Sequence, residues 1–196
     1  PSVMGLLDRV LAADRSAFLA INGAHSDAAD TLFWYISDPR TWIPVYVLFL
    51  VVLKVRWGWR GLLWALPVVA AMLLLSDTGS VMLFKNTVHR LRPSHAPDLQ
   101  GLVHTVNDYL GGPYGFVSSH AANHFAIAVF MIGALQHRPK WAFAPLLLWA
   151  ALVAYSRIYL GVHYPGDVIV GGLYGALVGA LAFRSFVVLH QRMGKR

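Results

Sequence analysis

Three short clusters in this sequence carry the side chains that could do chemistry. They run from Lys85 to Pro93, from Ser118 to His120 and from Ser156 to Asp167. Together they supply cations, hydroxyls, histidines and one carboxylate. Each cluster lies where a long apolar run meets a polar segment, and ionisable groups at a membrane edge are costly enough to suggest a functional site. Their place in the chain therefore predicts that the three clusters meet in one site.

This set of side chains suits the transfer of a phosphoryl group. That chemistry needs cations and N–H donors around the phosphate oxygens, with a nucleophile and a proton donor in line. Arg92 and Arg157 can each bind two phosphate oxygens, and Lys85 adds a point charge. Ser118 and the backbone N–H groups that open the following helix can complete the site. The sequence thus predicts a pocket for a dianionic phosphate.

The third cluster pairs a histidine with a carboxylate. Asp167 follows His163 by four positions, across a Tyr-Pro-Gly turn, and is also placed to cap the next helix. The carboxylate can bind one ring nitrogen, select the tautomer and leave the other nitrogen free to attack. His163 is then the expected nucleophile, and His120 is the expected proton donor to the leaving group.

Metal chemistry is the main alternative. His120 and His124 have the i, i+4 spacing of a helical zinc pair. A metallophosphatase needs several convergent carboxylates or histidines, and Asp167 is the one acid within the clusters. We therefore expect a site without metal or other cofactor.

The composition defines the elements that must position these residues. Of 196 residues, 57% are hydrophobic and 13% are charged, against roughly a quarter charged in soluble proteins. The chain is therefore predicted to be an integral membrane protein with a single domain, residues 1–196. It has no cysteine, which excludes disulfides and thiolate chemistry. The net charge of +7 is dispersed between apolar runs, which argues against nucleic-acid binding.

The apolar runs predict an all-α, polytopic bundle of about five transmembrane helices. Residues 41–190 form the expected transmembrane catalytic core, and residues 94–115 form an outer loop over the site. Residues 1–40 are expected to hold an interfacial amphipathic helix and a connection, although packing of that helix on the rest of the protein is an equal alternative. The predicted spans are Trp42 to Val55, Leu62 to Phe84, Phe116 to Gln136, Trp141 to Tyr159 and Val168 to Leu189.

The basic residues predict an orientation. Lys54, Arg56 and Arg60 share one side with the Arg138–Lys140 turn and with the basic C-terminus. The positive-inside rule makes that side cytoplasmic. The three clusters then face outward, toward the periplasm or outer face of a bacterial-type inner membrane.

The motifs Lys85-x6-Arg92-Pro93, Ser118-x-His120 and Ser156-Arg157-x5-His163-x3-Asp167 resemble the signature of the type 2 phosphatidic acid phosphatase superfamily. The resemblance covers roughly residues 60 to 190. It implies hydrolysis of a phosphate ester or anhydride without metal, through a phosphohistidine. In that family pattern His163 attacks, Asp167 orients it, and His120 protonates the leaving group and then activates water. The residues implied to bind phosphate are Lys85, Arg92, Ser118, Ser119 through its amide, and Arg157.

One position departs from the family pattern, since Ser119 stands where the family usually has glycine. Serine keeps the N–H but loses the backbone freedom of glycine. The resemblance implies a lipid phosphate in the bilayer as partner, with undecaprenyl diphosphate expected first. Phosphatidylglycerophosphate, phosphatidic acid and lipid A phosphates follow. A lipid phosphotransferase with the same phosphohistidine, and a non-catalytic lipid-binding or transport protein of this fold, stay open.

Some properties are left undetermined by the sequence. Oligomeric state is one of them. Asp77 could pair with a site arginine or form a polar contact between helices. His89, Arg90 and His124 also have no assigned role.

Overall fold

The structure, a computed structural model, describes residues 3–135 and 139–193. Within these residues every regular secondary-structure element is a helix. One isolated β-bridge joins Leu91 to Tyr114. The predicted all-α class is confirmed. Four residues used in the predictions of spans and orientation lie outside the described residues: Gln136, Arg138, Lys195 and Arg196. The helices are α1 Val3–Gly23, α2 Asp27–Ser37, α3 Ile43–Gly79, α4 Asn86–Val88, α5 Ser119–Ala134, α6 Ala144–Tyr159 and α7 Pro165–Met193.

Three stretches of the described chain are long and apolar enough to cross a membrane: Pro39–Val88, Lys140–Tyr159 and Pro165–Arg192. The first has 50 residues, more than twice the roughly 20 that one crossing needs. It bends at Gly58, whose φ of 70° and ψ of −178° are not helical. The bend falls between the first two predicted spans, so α3 has two limbs. With α5, α6 and α7 these limbs form the predicted polytopic helical bundle.

Helix α5 lies at the centre of the bundle, where small residues let α7 approach closely. A Cβ added at Gly175 would lie 2.0 Å from the carbonyl oxygen of Ala122, and one added at Gly179 would lie 2.3 Å from that of Ala126. Backbones this close leave no room for side chains. The glycines of α7 therefore serve packing within the chain.

At the end of the bundle opposite the three clusters, Trp57 connects α3 to α5 and α7. Its indole N–H donates to the carbonyl of Ala134 at 3.1 Å, and its ring packs edge-on against His190 with centroids 5.4 Å apart. The bend of α3 and the ends of α5 and α7 therefore meet at one end of the molecule. The clusters lie at the other end.

Helix α1 packs on the rest of the protein along its second half, and its interfacial position stays a prediction. Near its C-terminal end, Phe18 is fully buried and Asn22 binds the outer loop through the carbonyl of His104 at 2.8 Å. Near its start, Leu6, Leu7 and Val10 are 56–60% exposed. The second half of α1 thus packs on the protein, while the first half presents an apolar face.

Residues 94–115 lie beside the turn between α6 and α7. The amide of Ser94 donates to the carbonyl of Gly161 at 3.2 Å, and Leu99 is fully buried. Tyr109 extends from this segment to Arg157. The segment therefore reaches the site with a side chain of its own.

Candidate active site

The fold brings the three clusters together around a cavity of about 590 Å³. One end of the cavity is polar and the other is apolar. The polar end is lined by Lys85, Arg92, Ser119, His120, Arg157 and His163. The apolar end follows α3 and α5 away from the clusters and is lined by residues that include Leu53, Val69, Met72, Ile127 and Phe130. A phosphate with an apolar tail matches this division.

His163 lies in the turn between α6 and α7 and is only 1% exposed. Its Nε2 lies 2.8 Å from NH1 of Arg92. An arginine N–H can only donate, so Nε2 must be the unprotonated acceptor and Nδ1 must carry the hydrogen. The contact therefore defines the tautomer that leaves Nε2 with a lone pair.

The side chain of Asp167 faces the protonated nitrogen of His163. Its Oδ2 lies 3.5 Å from Nδ1, which is within ion-pair distance but long for a good hydrogen bond. Oδ2 accepts the amide of Tyr164 at 3.0 Å, and Oδ1 accepts NH1 of Arg90 at 2.8 Å. Two other donors thus hold the carboxylate against the ring.

The charge state of His163 follows from its surroundings. Burial, reinforced by the nearby cations Arg92, Arg157 and Lys85, lowers the pKa of His163 well below its usual range. The imidazole is therefore neutral near pH 7. A neutral imidazole with a free lone pair is the nucleophilic form.

Two buried arginines flank His163 without an acidic partner. Arg92 is 8% exposed and Arg157 is 3% exposed. In residues 3–135 and 139–193 neither forms a salt bridge, and the Nε–H of each has no hydrogen-bond partner. A buried unpaired donor costs roughly 1–3 kcal/mol, and more when it is charged. Phosphate oxygens would satisfy both donors.

Neutral groups hold the two guanidinium ions in place. Arg157 donates to the hydroxyl of Ser37 and, at 3.0 Å, to the hydroxyl of Tyr109. Arg92 donates to the carbonyl of Val162 at 3.1 Å. Because none of these partners is an anion, both positive charges stay available to a ligand.

Ser119 and Ser118 differ in how they contribute to the site. The hydroxyl of Ser119 lines the cavity and accepts a hydrogen bond from Nζ of Lys85 at 2.7 Å. Ser118 is fully buried beside the cavity, where its hydroxyl caps α5 by accepting the amide of Ala121 at 3.4 Å. Of the two serines, the structure therefore brings Ser119 to the cavity wall. Sequence analysis had selected only its amide.

The histidines of α5 occupy different positions. His120 is half-buried and lines the cavity beside His163. His124 is 4% exposed, donates through Nδ1 to the carbonyl of His120 at 2.8 Å and contacts the hydroxyl of Tyr46 at 3.4 Å. Within the described residues, no group of three or more His, Cys, Asp or Glu side chains is arranged to hold a metal ion.

The residues to which the sequence assigned no role lie in different places, and only some of them reach the site. Asp77 lines the cavity, whereas His89 packs against Tyr114 with ring centroids 4.8 Å apart. Arg90 contacts Asp167 directly and belongs to the site, although the motifs do not contain it. Sequence analysis also missed Ser37, which is 120 positions from its partner Arg157 and is marked by no local pattern.

These features define a helical membrane protein with a buried cationic site around a neutral histidine. The model of the PAP2 superfamily matches residues 61–190. The chain is 34% identical to a lipid A 4'-phosphatase of Porphyromonas gingivalis, over 95% of this chain and 78% of that protein. The chain belongs to the PAP2 superfamily, as its motifs predicted.

Two further relatives differ in the extent of their likeness. The crystal structure of LpxE from Aquifex aeolicus superposes with a TM-score of 0.59 at 26% identity, covering 86% of this chain and 93% of that chain. An undecaprenyl-diphosphatase of Sulfolobus acidocaldarius is 38% identical over 69 residues, which are 35% of this chain and 32% of that protein. The first likeness extends over most of the fold, and the second over about a third.

Proposed function

We propose that this protein is a membrane lipid phosphatase that acts through a phosphohistidine on His163. The observation that carries the proposal is the pair of buried guanidinium ions without acidic partners, each with an unsatisfied Nε–H, beside a neutral imidazole. Buried charges are stable only when they are paired or hydrogen-bonded. A phosphate placed between Arg92 and Arg157 supplies the missing acceptors.

The first chemical step breaks the bond between phosphorus and the lipid oxygen. Arg92 turns from Nε2 of His163 to the phosphate oxygens, because one lone pair cannot both accept its N–H and attack. Nε2 then bonds to phosphorus while His120, which must be protonated in the complex with the phosphate anion, gives that proton to the leaving oxygen. The ring becomes a cation, and the Asp167 carboxylate beside Nδ1 stabilises it.

The second step returns the enzyme to its starting state. His120, now neutral, removes a proton from a water molecule as the water oxygen attacks phosphorus. The bond between phosphorus and Nε2 breaks, its electron pair returns to His163, and inorganic phosphate leaves. Lys85 and the hydroxyl of Ser119 face the same cavity and stabilise the charge on the phosphate oxygens in both steps.

The substrate proposed first is a lipid A-type phosphate monoester. The P. gingivalis relative aligns with 95% of this chain, which leaves too few unaligned residues to omit the outer segment, where we expect the lipid headgroup to be selected. The relative named for undecaprenyl diphosphate aligns with 35% of the chain. That diphosphate, which the motifs alone placed first, is therefore the second candidate.

The proposed location is a bacterial-type inner membrane with the site on the outer face. Lys54, Arg60, Lys140 and Arg192 lie at or near the end of the bundle where Trp57 lies, away from the clusters. An excess of cations at that end supports a cytoplasmic assignment. The apolar end of the cavity lies among membrane helices, so the lipid tail can stay in the bilayer.

Phosphate release from purified protein in detergent tests the proposal. The panel contains lipid A, undecaprenyl diphosphate, phosphatidylglycerophosphate and phosphatidic acid, without added acceptor and with or without EDTA. We expect release that EDTA does not inhibit and that is lost in His163→Ala but kept in His190→Ala, which changes a histidine at the other end of the bundle. Activity in His163→Ala, or full loss with EDTA, contradicts the mechanism. Lipid turnover that requires an acceptor supports a phosphotransferase instead.

A further inference from the structure

Asp167 is connected to α1 through Arg90. NH1 of Arg90 donates to Oδ1 of Asp167 at 2.8 Å, and NH2 donates to Oδ2 of Asp14 at 2.7 Å. The three side chains are largely buried, with 0% of Asp167, 20% of Arg90 and 10% of Asp14 exposed. Charge-assisted hydrogen bonds of this length are among the strong ones in proteins. One cation thus joins two carboxylates from opposite ends of the sequence.

Asp14 also binds the backbone next to Asp167. Its Oδ1 accepts the amide of Gly166 at 2.7 Å. A Cβ on Gly166 would lie 3.0 Å from Oδ2 of Asp14, so a side chain at this position would displace the carboxylate by a few tenths of an ångström. Asp14 therefore contacts both the partner of Asp167 and the turn that begins α7.

Tyr164 provides a second connection between α1 and Asp167. Its amide donates to Oδ2 of Asp167, and its ring lies 3.9 Å below the guanidinium of Arg90. Phe18 of α1 packs edge-on against the same ring, with centroids 5.4 Å apart. Both oxygens of Asp167 thus depend on groups that α1 supports.

We infer that Asp14 and Arg90 are positioning residues that hold the Asp167 carboxylate against His163, so that one side chain of α1 supports the catalytic groups. The inference rests on the proposed roles of His163 and Asp167. The family model begins at residue 61, so Asp14 lies outside the region that it matches. None of the three sequence clusters contains Asp14.

The geometry explains why Asp14 matters. Oδ2 of Asp167 is 3.5 Å from Nδ1 of His163, so a small rotation of the carboxylate decides whether a short hydrogen bond forms. By binding NH2 of Arg90, Asp14 leaves Asp167 only NH1. Without Asp14 the guanidinium is free to bind Asp167 with both nitrogens, as arginine–carboxylate pairs often do. That would turn Oδ2 away from the imidazole.

The test is the kinetics of Asp14→Asn, measured as phosphate release from a lipid phosphate in detergent. Asparagine keeps the size but weakens the hold on Arg90. We expect kcat to fall on the order of 10²-fold, as for small displacements of reacting groups, with KM within about twofold. The matched controls are Asp8→Asn, an exposed aspartate of the same helix, and Arg15→Gln, which removes the α1 contact to Asp98. Both controls should keep kcat.

A double-mutant cycle identifies the route of the effect. If Asp14 acts through Arg90, Asp14→Asn should cost little more in an Arg90→Gln background, whereas independent effects multiply. Arg90→Lys should recover part of the kcat that Arg90→Gln loses. Multiplying effects, or a kcat in Asp14→Asn equal to that of the controls, would overturn the inference.

Three further outcomes are distinguishable. If Asp14→Asn cannot be isolated folded, Arg90→Gln and Arg90→Lys alone decide, and equal kcat in both contradicts the inference. If His163→Ala is as active as the native protein, the proposed function itself fails. If His163→Ala is inactive while Asp14→Asn matches its controls, only the role of Asp14 and Arg90 fails.

Discussion

Arg157 is anchored by hydroxyl groups, and this choice of partners keeps its charge available for a ligand. An aspartate in place of Ser37 or Tyr109 would satisfy the buried guanidinium and neutralise it. Two hydroxyls fix the plane of the guanidinium while leaving its Nε–H unpaired. The charge of Arg157 therefore stays unneutralised, as the proposed binding of a phosphate requires.

The first prediction at this scale concerns Arg157→Lys. A lysine keeps the charge but cannot bind Ser37, Tyr109 and a phosphate oxygen in one plane. Loss of one charge-assisted hydrogen bond, about 1.5–3 kcal/mol, lowers kcat/KM by roughly 10- to 100-fold. The matched control is Arg184→Lys on an exposed part of α7. Native kcat/KM in Arg157→Lys would show that geometry matters less than charge.

The second prediction concerns pH. Attack requires neutral His163, and burial with nearby cations lowers the pKa of this imidazole well below its usual value. Protonation therefore inactivates the site only below about pH 6.5, the ordinary range of histidine. We expect the acidic limb of a plot of kcat/KM against pH to lie below that value. A limb at or above pH 6.5 would contradict the buried, neutral nucleophile.

Sequence motifs select those residues of the site whose spacing is local. His163 and Asp167 share one turn, and Lys85 and Arg92 one segment, so their positions in the chain are enough to predict them. Ser37, Tyr109 and Asp14 come from segments that show no motif and reach the site only through folding. Ser118 differs from these residues, because it belongs to a motif but its hydroxyl caps α5 instead of lining the cavity.

At the scale of elements, Gly58 divides the apolar stretch Pro39–Val88 into two limbs. The first predicted span ends at Val55 and the second begins at Leu62, with Arg56 and Arg60 between them, so the sequence predicted a break there. What hydropathy could not predict is that the break is a bend at a single residue, Gly58, with helix on both sides of it. The bend depends on a backbone conformation that only glycine adopts readily.

The third prediction follows from that conformation. Gly58 has a φ of 70°, and nothing lies within 4 Å of an added Cβ, so Gly58→Ala is opposed by the backbone alone. We expect a loss of roughly 1–3 kcal/mol in the free energy of unfolding, measured by thermal denaturation in detergent. Gly23→Ala, also in open space but without a positive φ, is the control. Equal melting temperatures for both variants would show that the bend tolerates a side chain.

At the scale of the molecule, the cationic site and the dispersed basic residues occupy opposite ends of the bundle. Under the proposed orientation the four cations in the clusters depart from the positive-inside rule, and the proposed phosphate ligand accounts for them. That the chain is a multi-pass membrane protein was predictable from its composition, because a bilayer requires long apolar helices. The packing of α1 beside Asp167 was not predictable, because it depends on single contacts between segments that are distant in the sequence.

The fourth prediction tests orientation. The chain has no cysteine, so single cysteines can be introduced without background. Gly112→Cys, in the exposed outer segment, should react with an impermeant thiol reagent in intact cells. Lys140→Cys, at the opposite end, should react only after the membrane is permeabilised. The reverse pattern would place the site in the cytoplasm.

The most direct test of the central claim is to trap the phosphorylated enzyme. A lipid phosphate with a radiolabelled phosphoryl group is mixed with the protein and quenched at alkaline pH in denaturant, since phosphohistidine is labile to acid. We predict label bound to the native protein and to His190→Ala, removable by acid and absent from His163→Ala. Acid-stable label, or label that persists in His163→Ala, would contradict attack by His163.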